Sequence, residues 1–208
     1  MRGAFIVIEG LDRSGKSTQT NLLHERIRAS GRQVELFKFP DRTTTIGQMI
    51  DAYLRSQAEL EDHAIHLLFS ANRWELAPRI EQSLKDGKTV LCDRYAFSGA
   101  SFTSSKGLPL PWCKSPDVGL PAPDLVLFLD ITPEKAAERG GYGEERYEKR
   151  EMQERVREVF KGFQDEGGPW VEVDAGRPLE EVTEVMWGKV GPLVKGVEGE
   201  LKRLWVDG

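Results

Sequence analysis

The stretch Ala4-Phe5-Ile6-Val7-Ile8-Glu9-Gly10-Leu11-Asp12-Arg13-Ser14-Gly15-Lys16-Ser17 decides how the chain is read. Residues 4–8 are an unbroken apolar run, and a match to G-x-x-x-x-G-K-[ST] begins at Gly10. A continuous apolar run, unlike an alternating one, predicts a strand covered on both faces. The glycine pattern between that strand and a helix predicts a loop whose backbone N–H groups curl inward.

Such a loop, at the positive end of a helix, suits a phosphate anion. Gly10, Ser14, Gly15, Lys16, Ser17 and Thr18 are therefore candidate triphosphate-binding residues. Lys16 is placed to reach the outer phosphates, and the Ser17 hydroxyl is a candidate Mg²⁺ ligand.

Outward from this point, residues 89–92 and 125–129 are further buried-strand candidates, with weaker ones at 34–39 and 170–173. Helical spacing of apolar residues appears over 18–29, 61–86, 152–163 and 179–187. Strands alternating with helices predict an α/β fold, a parallel sheet with helices on both faces. No composition shift divides the 208 residues, so a single domain is expected. Residues 106–123 hold Pro109, Pro111, Pro116, Pro121 and Pro123, which excludes a long regular element. Residues 139–150 are dense in glycine and charge.

Ligands of open α/β sheets bind beyond the carboxyl ends of the strands. Asp93 ends one candidate strand and is the second candidate metal ligand. Arg94 follows it directly, and Arg42 follows Phe39-Pro40-Asp41 at the end of another. Guanidinium groups hold phosphate in a fork and stay charged, so arginines gathered on this rim predict a second anion beside the triphosphate.

Composition narrows the classes. The chain has 34 acidic against 29 basic residues, a net charge of −5, which argues against general nucleic-acid coating. No run is long enough to span a membrane. Two cysteines, Cys92 and Cys113, are too few to staple this length, and a cytoplasmic location is expected, with a nuclear or mitochondrial pool left open. His24, His63 and His66 are the only histidines, and the spacing of the last two is read as packing or surface rather than metal binding. A GTPase switch is disfavoured because neither asparagine, Asn21 nor Asn72, begins Asn-Lys-x-Asp.

Six separated motifs carry a resemblance. They are residues 10–17, Phe39-Pro40-Asp41-Arg42, Phe69-Ser70-Ala71-Asn72-Arg73-Trp74-Glu75, Asp93-Arg94-Tyr95-Ala96-Phe97-Ser98-Gly99, Pro116-Asp117-Val118-Gly119-Leu120-Pro121 and Glu145-Arg146-Tyr147-Glu148. Together they resemble thymidylate kinase in its eukaryotic-type branch. The resemblance implies a three-layer P-loop kinase fold with a five-stranded parallel sheet. It also implies phosphoryl transfer from ATP to dTMP with Mg²⁺, and a homodimer. Its site expectations are that Arg42 and Arg94 hold the dTMP phosphate, Phe69 stacks on thymine, and Arg73 bonds its O4. Asp12 takes the sugar 3′-hydroxyl, Phe39, Gly99 and Phe102 line the acceptor pocket, and Tyr147 crowds the sugar 2′ position. Arg139, Ala175 and Gly176 flank adenine, and a lid spans about 136–150, its mobile part 140–148. Arg13 inside the cradle is the expected catalytic arginine with Lys16, Asp12 and Arg94, and Arg146 in the lid is a second source. For the dimer, Ala64, Leu67, Leu68, Ala71 and Trp74 offer an apolar surface.

Overall fold

In a computed structural model, residues 1–139, 146–147 and 149–206 are described. Five parallel strands form one sheet: β1 (Phe5–Gly10), β2 (Val34–Lys38), β3 (Thr89–Asp93), β4 (Leu125–Asp130) and β5 (Trp170–Asp174), in the order β2-β3-β1-β4-β5. The position of each strand follows from its composition. β1 and β3 are buried at every position, and β4 at all but its last. These are the unbroken apolar runs, and they take the centre. β2 and β5 expose Glu35, Lys38, Glu172 and Asp174 in part or fully, and they take the edges, where water reaches one side.

The helices are α1 (Lys16–Ala29), α2 (Thr45–Leu54), α3 (Asp62–Lys85), α4 (Ala96–Ser104), α5 (Leu110–Lys114), α6 (Pro133–Ala137), α7 (Arg150–Asp165) and α8 (Leu179–Val190). Four of them, α2, α4, α5 and α6, have no counterpart in the sequence reading. They are short, and α5 and α6 open on proline-bearing segments, but α2 does carry apolar residues at helical spacing, Ile46, Met49, Ile50, Tyr53 and Leu54. Residues 106–123 contain no long element, as expected, but are not structureless. Pro109 and Pro111 sit at the start of α5, where a missing N–H costs nothing, and a 3₁₀ turn covers Ser115–Asp117.

The main core includes the central strands and runs from Ala4 to Leu204, and a second cluster, Ile50, Tyr53, Leu54 and Ile65, joins α2 to α3. The C-terminal segment is a strap on the main core. Leu204 is buried, and Trp205 stacks on Phe163 at 6.1 Å. The strap exchanges backbone hydrogen bonds with 119–122: Gly119 donates to Leu204, Leu204 to Leu120, and Ala122 to Lys202. Among the described residues no helix is long and apolar enough to cross a membrane. Both cysteines are buried, and burial pushes their thiols up, Cys113 to about 11.

Candidate active site at the strand ends

The loop after β1 is built on backbone that most side chains avoid. Gly15 sits at φ 91 and caps α1 without a side-chain bond, and the first turn of α1 carries no acidic residue. The first N–H groups of α1 are thus left for a ligand, with the positive end of the helix dipole behind them. Arg13 also lies in the left-handed region, at φ 62, an unusual conformation for a non-glycine residue. Lys16 is 6% exposed, and its ammonium donates to the Leu11 carbonyl at 2.5 Å. Burial pulls it down to about 7, with Arg94's charge acting the same way and Asp12, Asp93 and Glu9 opposing.

Ser17 donates to Asp93 at 2.6 Å across the loop. A hydroxyl and a carboxylate this close are hard oxygen donors of the kind Mg²⁺ takes. Lys38, at the end of β2, lies 3.3 Å from the Ser17 hydroxyl and 3.8 Å from Asp93. The sequence reading did not single it out.

Arg94 is the hub of the floor. It is held at φ 67, with its backbone N–H on the Ile8 carbonyl. Its guanidinium donates to the Gly10 carbonyl and to Ser98, each at 3.0 Å, and to the Asp12 carboxylate. Gln153 of α7 holds the other Asp12 oxygen at 2.7 Å and accepts the Asp12 N–H at 3.0 Å. Beneath lies Glu9, fully buried. It accepts the N–H groups of Tyr95 and Ser98 and the Ser98 hydroxyl, and so caps α4 from another strand. Burial raises its carboxyl, and the Ser98 hydroxyl and Arg94's charge pull against that.

Opposite stands the loop after β2. Arg42 pairs with Asp51 of α2 at 2.6 Å. Buried Asn72 pins the loop by accepting the Asp41 N–H at 2.8 Å and donating to its carbonyl at 3.2 Å. Next to it on α3, Arg73 is 2% exposed and pairs with fully buried Asp117. Gly99 of α4 faces this guanidinium so closely that a Cβ there would lie 2.7 Å from Arg73 Nη2. Asp117 keeps the arginine from yielding. Gly99→Ala is therefore expected to raise KM for the acceptor about tenfold, as overpacking does, with a smaller change in kcat. Steady-state kinetics over a range of acceptor concentrations checks this.

Tyr147 packs on Phe102 at 5.4 Å and on Tyr53 at 6.1 Å. Arg139 donates to the Arg13 carbonyl at 3.1 Å and to the Ala175 carbonyl, with Gly176 next in the chain. Arg146 is engaged with the end of α2 and the segment that follows it. It donates to the Tyr53 carbonyl at 3.1 Å, pairs with Glu59 at 2.6 Å and lies over the Tyr53 ring. Of the expected lid, 140–145 and 148 lie outside the described residues. His66 is buried between Thr103 and the Cys113 carbonyl, while His63 is exposed beside Glu61, and no cluster of three metal-ligating side chains occurs among the described residues.

These elements enclose a cleft of about 460 Å³. Asp12, Arg13, Gly15, Lys16, Ser17, Thr18, Phe39, Arg42, Phe69, Arg73, Asp93, Arg94, Gly99, Phe102 and Tyr147 all line it. Gly10, Ser14, Arg139, Ala175 and Gly176 do not line it: Gly10, Ser14 and Ala175 are buried, and Arg139 bridges the Arg13 and Ala175 carbonyls. The sequence reading missed Lys38, Ser98, Gln153, Asn72 and Asp117. Asn72, Ser98 and Asp117 stood inside the motifs of the resemblance without a role, and Glu9 left a signal of its own, a carboxylate ending an apolar run.

The sequence model of the family described as thymidylate kinase matches residues 8–185. A thymidylate kinase of Arabidopsis thaliana is 52% identical over 206 residues, covering 98% of this chain and 78% of that protein. That of Schizosaccharomyces pombe is 56% identical over 185 residues, covering 87% and 88%. The solved structure of thymidylate kinase from Candida albicans superposes with a TM-score of 0.88 at 37% identity, covering 97% of this chain and 98% of that one. The order β2-β3-β1-β4-β5, the phosphate loop between β1 and α1, and these matches over nearly the whole length agree: the chain belongs to the thymidylate kinase family and is an ATP-dependent kinase of thymidylate.

Proposed function

We propose that the cleft holds both substrates at once, the ATP triphosphate on the loop 10–18 and dTMP between Arg42, Arg94, Phe69 and Arg73. The carrying observation is that one cavity is lined by Lys16 and Ser17 on one side and by Arg42, Phe69 and Arg73 on the other. Its volume, about 460 Å³, falls in the range of small-molecule sites.

The chemistry asks little of the protein beyond position and charge. A phosphate monoester has a second pKa near about 6, so at neutral pH dTMP is mostly a dianion and already nucleophilic. No general base is required. What must be overcome is repulsion between two polyanions. Lys16 meets the outer phosphates of ATP. Arg94, fixed by Asp12, Ser98 and the Gly10 carbonyl, meets the acceptor phosphate together with Arg42. Arg13, raised on its left-handed backbone between the two, meets the transferring group. Ser17 and Asp93 are the residues that would hold Mg²⁺, which supplies charge neutralisation to the phosphates when bound. Asp12 orients Arg94 as well as reaching toward the sugar. Phe69 gives a flat face to any base, and Arg73 selects an oxygen acceptor. Arg139 and the backbone of 175–176 border the adenine side.

The test is an acceptor panel of dTMP, dUMP, dCMP, AMP, GMP and thymidine with Mg-ATP, monitored by ADP release. The expected order is dTMP first, dUMP next and dCMP poor, with no turnover of thymidine. Equal turnover of dCMP would remove Arg73 from base reading. The Candida albicans relative is described as broad in substrate specificity, so this ranking discriminates.

A homodimer through α3 completes the reading. Leu67 and Trp74, two turns apart on one face, are 49% and 39% exposed, whereas Leu68 and Ala71 are half-buried. Sedimentation at micromolar concentration is expected to give two chains, and Leu67→Glu one.

A further inference from the structure

Asp117 does not line the cleft, yet its carboxylate is fully committed beside it. It is 0% exposed. Its Oδ2 accepts from Arg73 Nη2 at 2.6 Å, and its Oδ1 accepts from Arg73 Nε at 3.1 Å and from the Ser70 hydroxyl at 2.7 Å. Ser70 also reaches the Pro116 carbonyl at 3.0 Å. The turn that carries Asp117 is itself tied down. Trp74 donates to the Pro116 carbonyl at 2.8 Å, and the C-terminal strap bonds Gly119, Leu120 and Ala122.

We propose that Asp117 is a positioning residue that sets the base selectivity of the cleft by fixing the guanidinium of Arg73. A two-point pair locks the guanidinium plane as well as its place. One edge of Arg73, its Nε and Nη2, is committed to Asp117, and the rest of the guanidinium lies beside Gly99 at the cleft. A donor that cannot turn away accepts an oxygen and penalises an amino group, because the site is then left with two facing donors. A donor that can withdraw penalises neither. Selectivity therefore lives in the rigidity of the arginine, and Asp117 with Ser70 supplies it.

This inference rests on the proposed role of Arg73 at thymine O4, and the experiment separates the two. Asp117→Asn and Arg73→Ala are compared with the unmodified full chain for kcat/KM with dTMP and dCMP, and for the KM of ATP. Asp117→Asn is expected to lower the dTMP-to-dCMP ratio by about 10- to 100-fold, the range set by one buried unpaired polar group, with kcat at saturating dTMP and the KM of ATP close to unmodified. A purely structural role would lower kcat for all acceptors together and leave the ratio alone, and that result overturns the proposal. If Arg73→Ala keeps the ratio, the reading of Arg73 has failed, and the proposal with it. If Arg73→Ala abolishes the ratio and Asp117→Asn does not touch it, only the proposal has failed. Should Asp117→Asn not fold, Ser70→Ala decides. It removes the second donor to Asp117 and leaves the ion pair in place. A fall in the ratio of a few-fold supports the proposal, and an unchanged ratio overturns it.

Discussion

Arg13→Ala lowers kcat by about 10³-fold or more, the contribution expected of an arginine aimed at a transferring phosphoryl group. The KM of dTMP stays within a few-fold of its original value, because the proposed arrangement gives the acceptor phosphate to Arg42 and Arg94. The structure sharpens this expectation in two ways. Arg13 lines the cleft from a left-handed backbone position, φ 62, and its carbonyl is held at 3.1 Å by Arg139. Its backbone is thus fixed where it borders the cleft. Arg146, the other arginine the family resemblance offered, is engaged with Glu59 and Tyr53 on the rim. Arg146→Ala is accordingly the comparison variant, and it should leave kcat far closer to the original. Near-normal turnover by Arg13→Ala would remove it from the chemistry.

Lys16→Met separates catalysis from stability. The ammonium is buried in the loop and pulled down to about 7, mainly by that burial. Removing it takes away a charge that is costly to bury, so the thermal midpoint without nucleotide is expected to hold or rise. Activity moves the other way: kcat/KM for ATP falls by about 10²- to 10³-fold with the loss of one preorganised phosphate donor, and the thermal shift on adding ATP disappears. The sign of the pH effect follows from the same residue. A triphosphate favours the charged lysine, so it raises the pKa from about 7, and binding takes up protons. ATP affinity of the unmodified chain should therefore weaken as pH rises from 7 toward 9. Calorimetry in two buffers of different ionisation enthalpy should show uptake near pH 8, absent in Lys16→Met. Binding without uptake in the unmodified chain would mean that Lys16 is already fully charged.

Residues that touch a phosphate were more legible than residues that hold them. The loop 10–17 is recognisable because backbone curvature demands glycine at set places and anion binding demands Lys and a hydroxyl after it. Asp93, Arg94 and Arg42 follow because they end apolar strands, and strand ends converge on one rim. The supports left little trace. Gln153 bridges 141 positions to reach Asp12, and Asp117 bridges 44 to reach Arg73. Nothing local distinguishes such a glutamine from a solvated one, and Asp117 stood out only as part of the motif 116–121, with no partner indicated. The strap 197–204 was illegible for the same reason, since its hydrogen bonds run to segments distant in sequence.

Sequence alone determined the parallel α/β sheet, because three unbroken apolar runs can be satisfied only with cover on both faces. It also determined the phosphate loop, because that geometry is written in adjacent residues. The choice of β1, β3 and β4 as the central strands was implicit in the same runs. Tertiary structure decided the rest: which carboxylate fixes which arginine, that Arg146 engages Glu59 and Tyr53 while Arg13 lines the cleft, and how near Gly99 stands to the Arg73 guanidinium. Those outcomes depend on distances between elements that only packing sets, and a buried charge is paired by whatever partner the fold brings within about 3 Å of it.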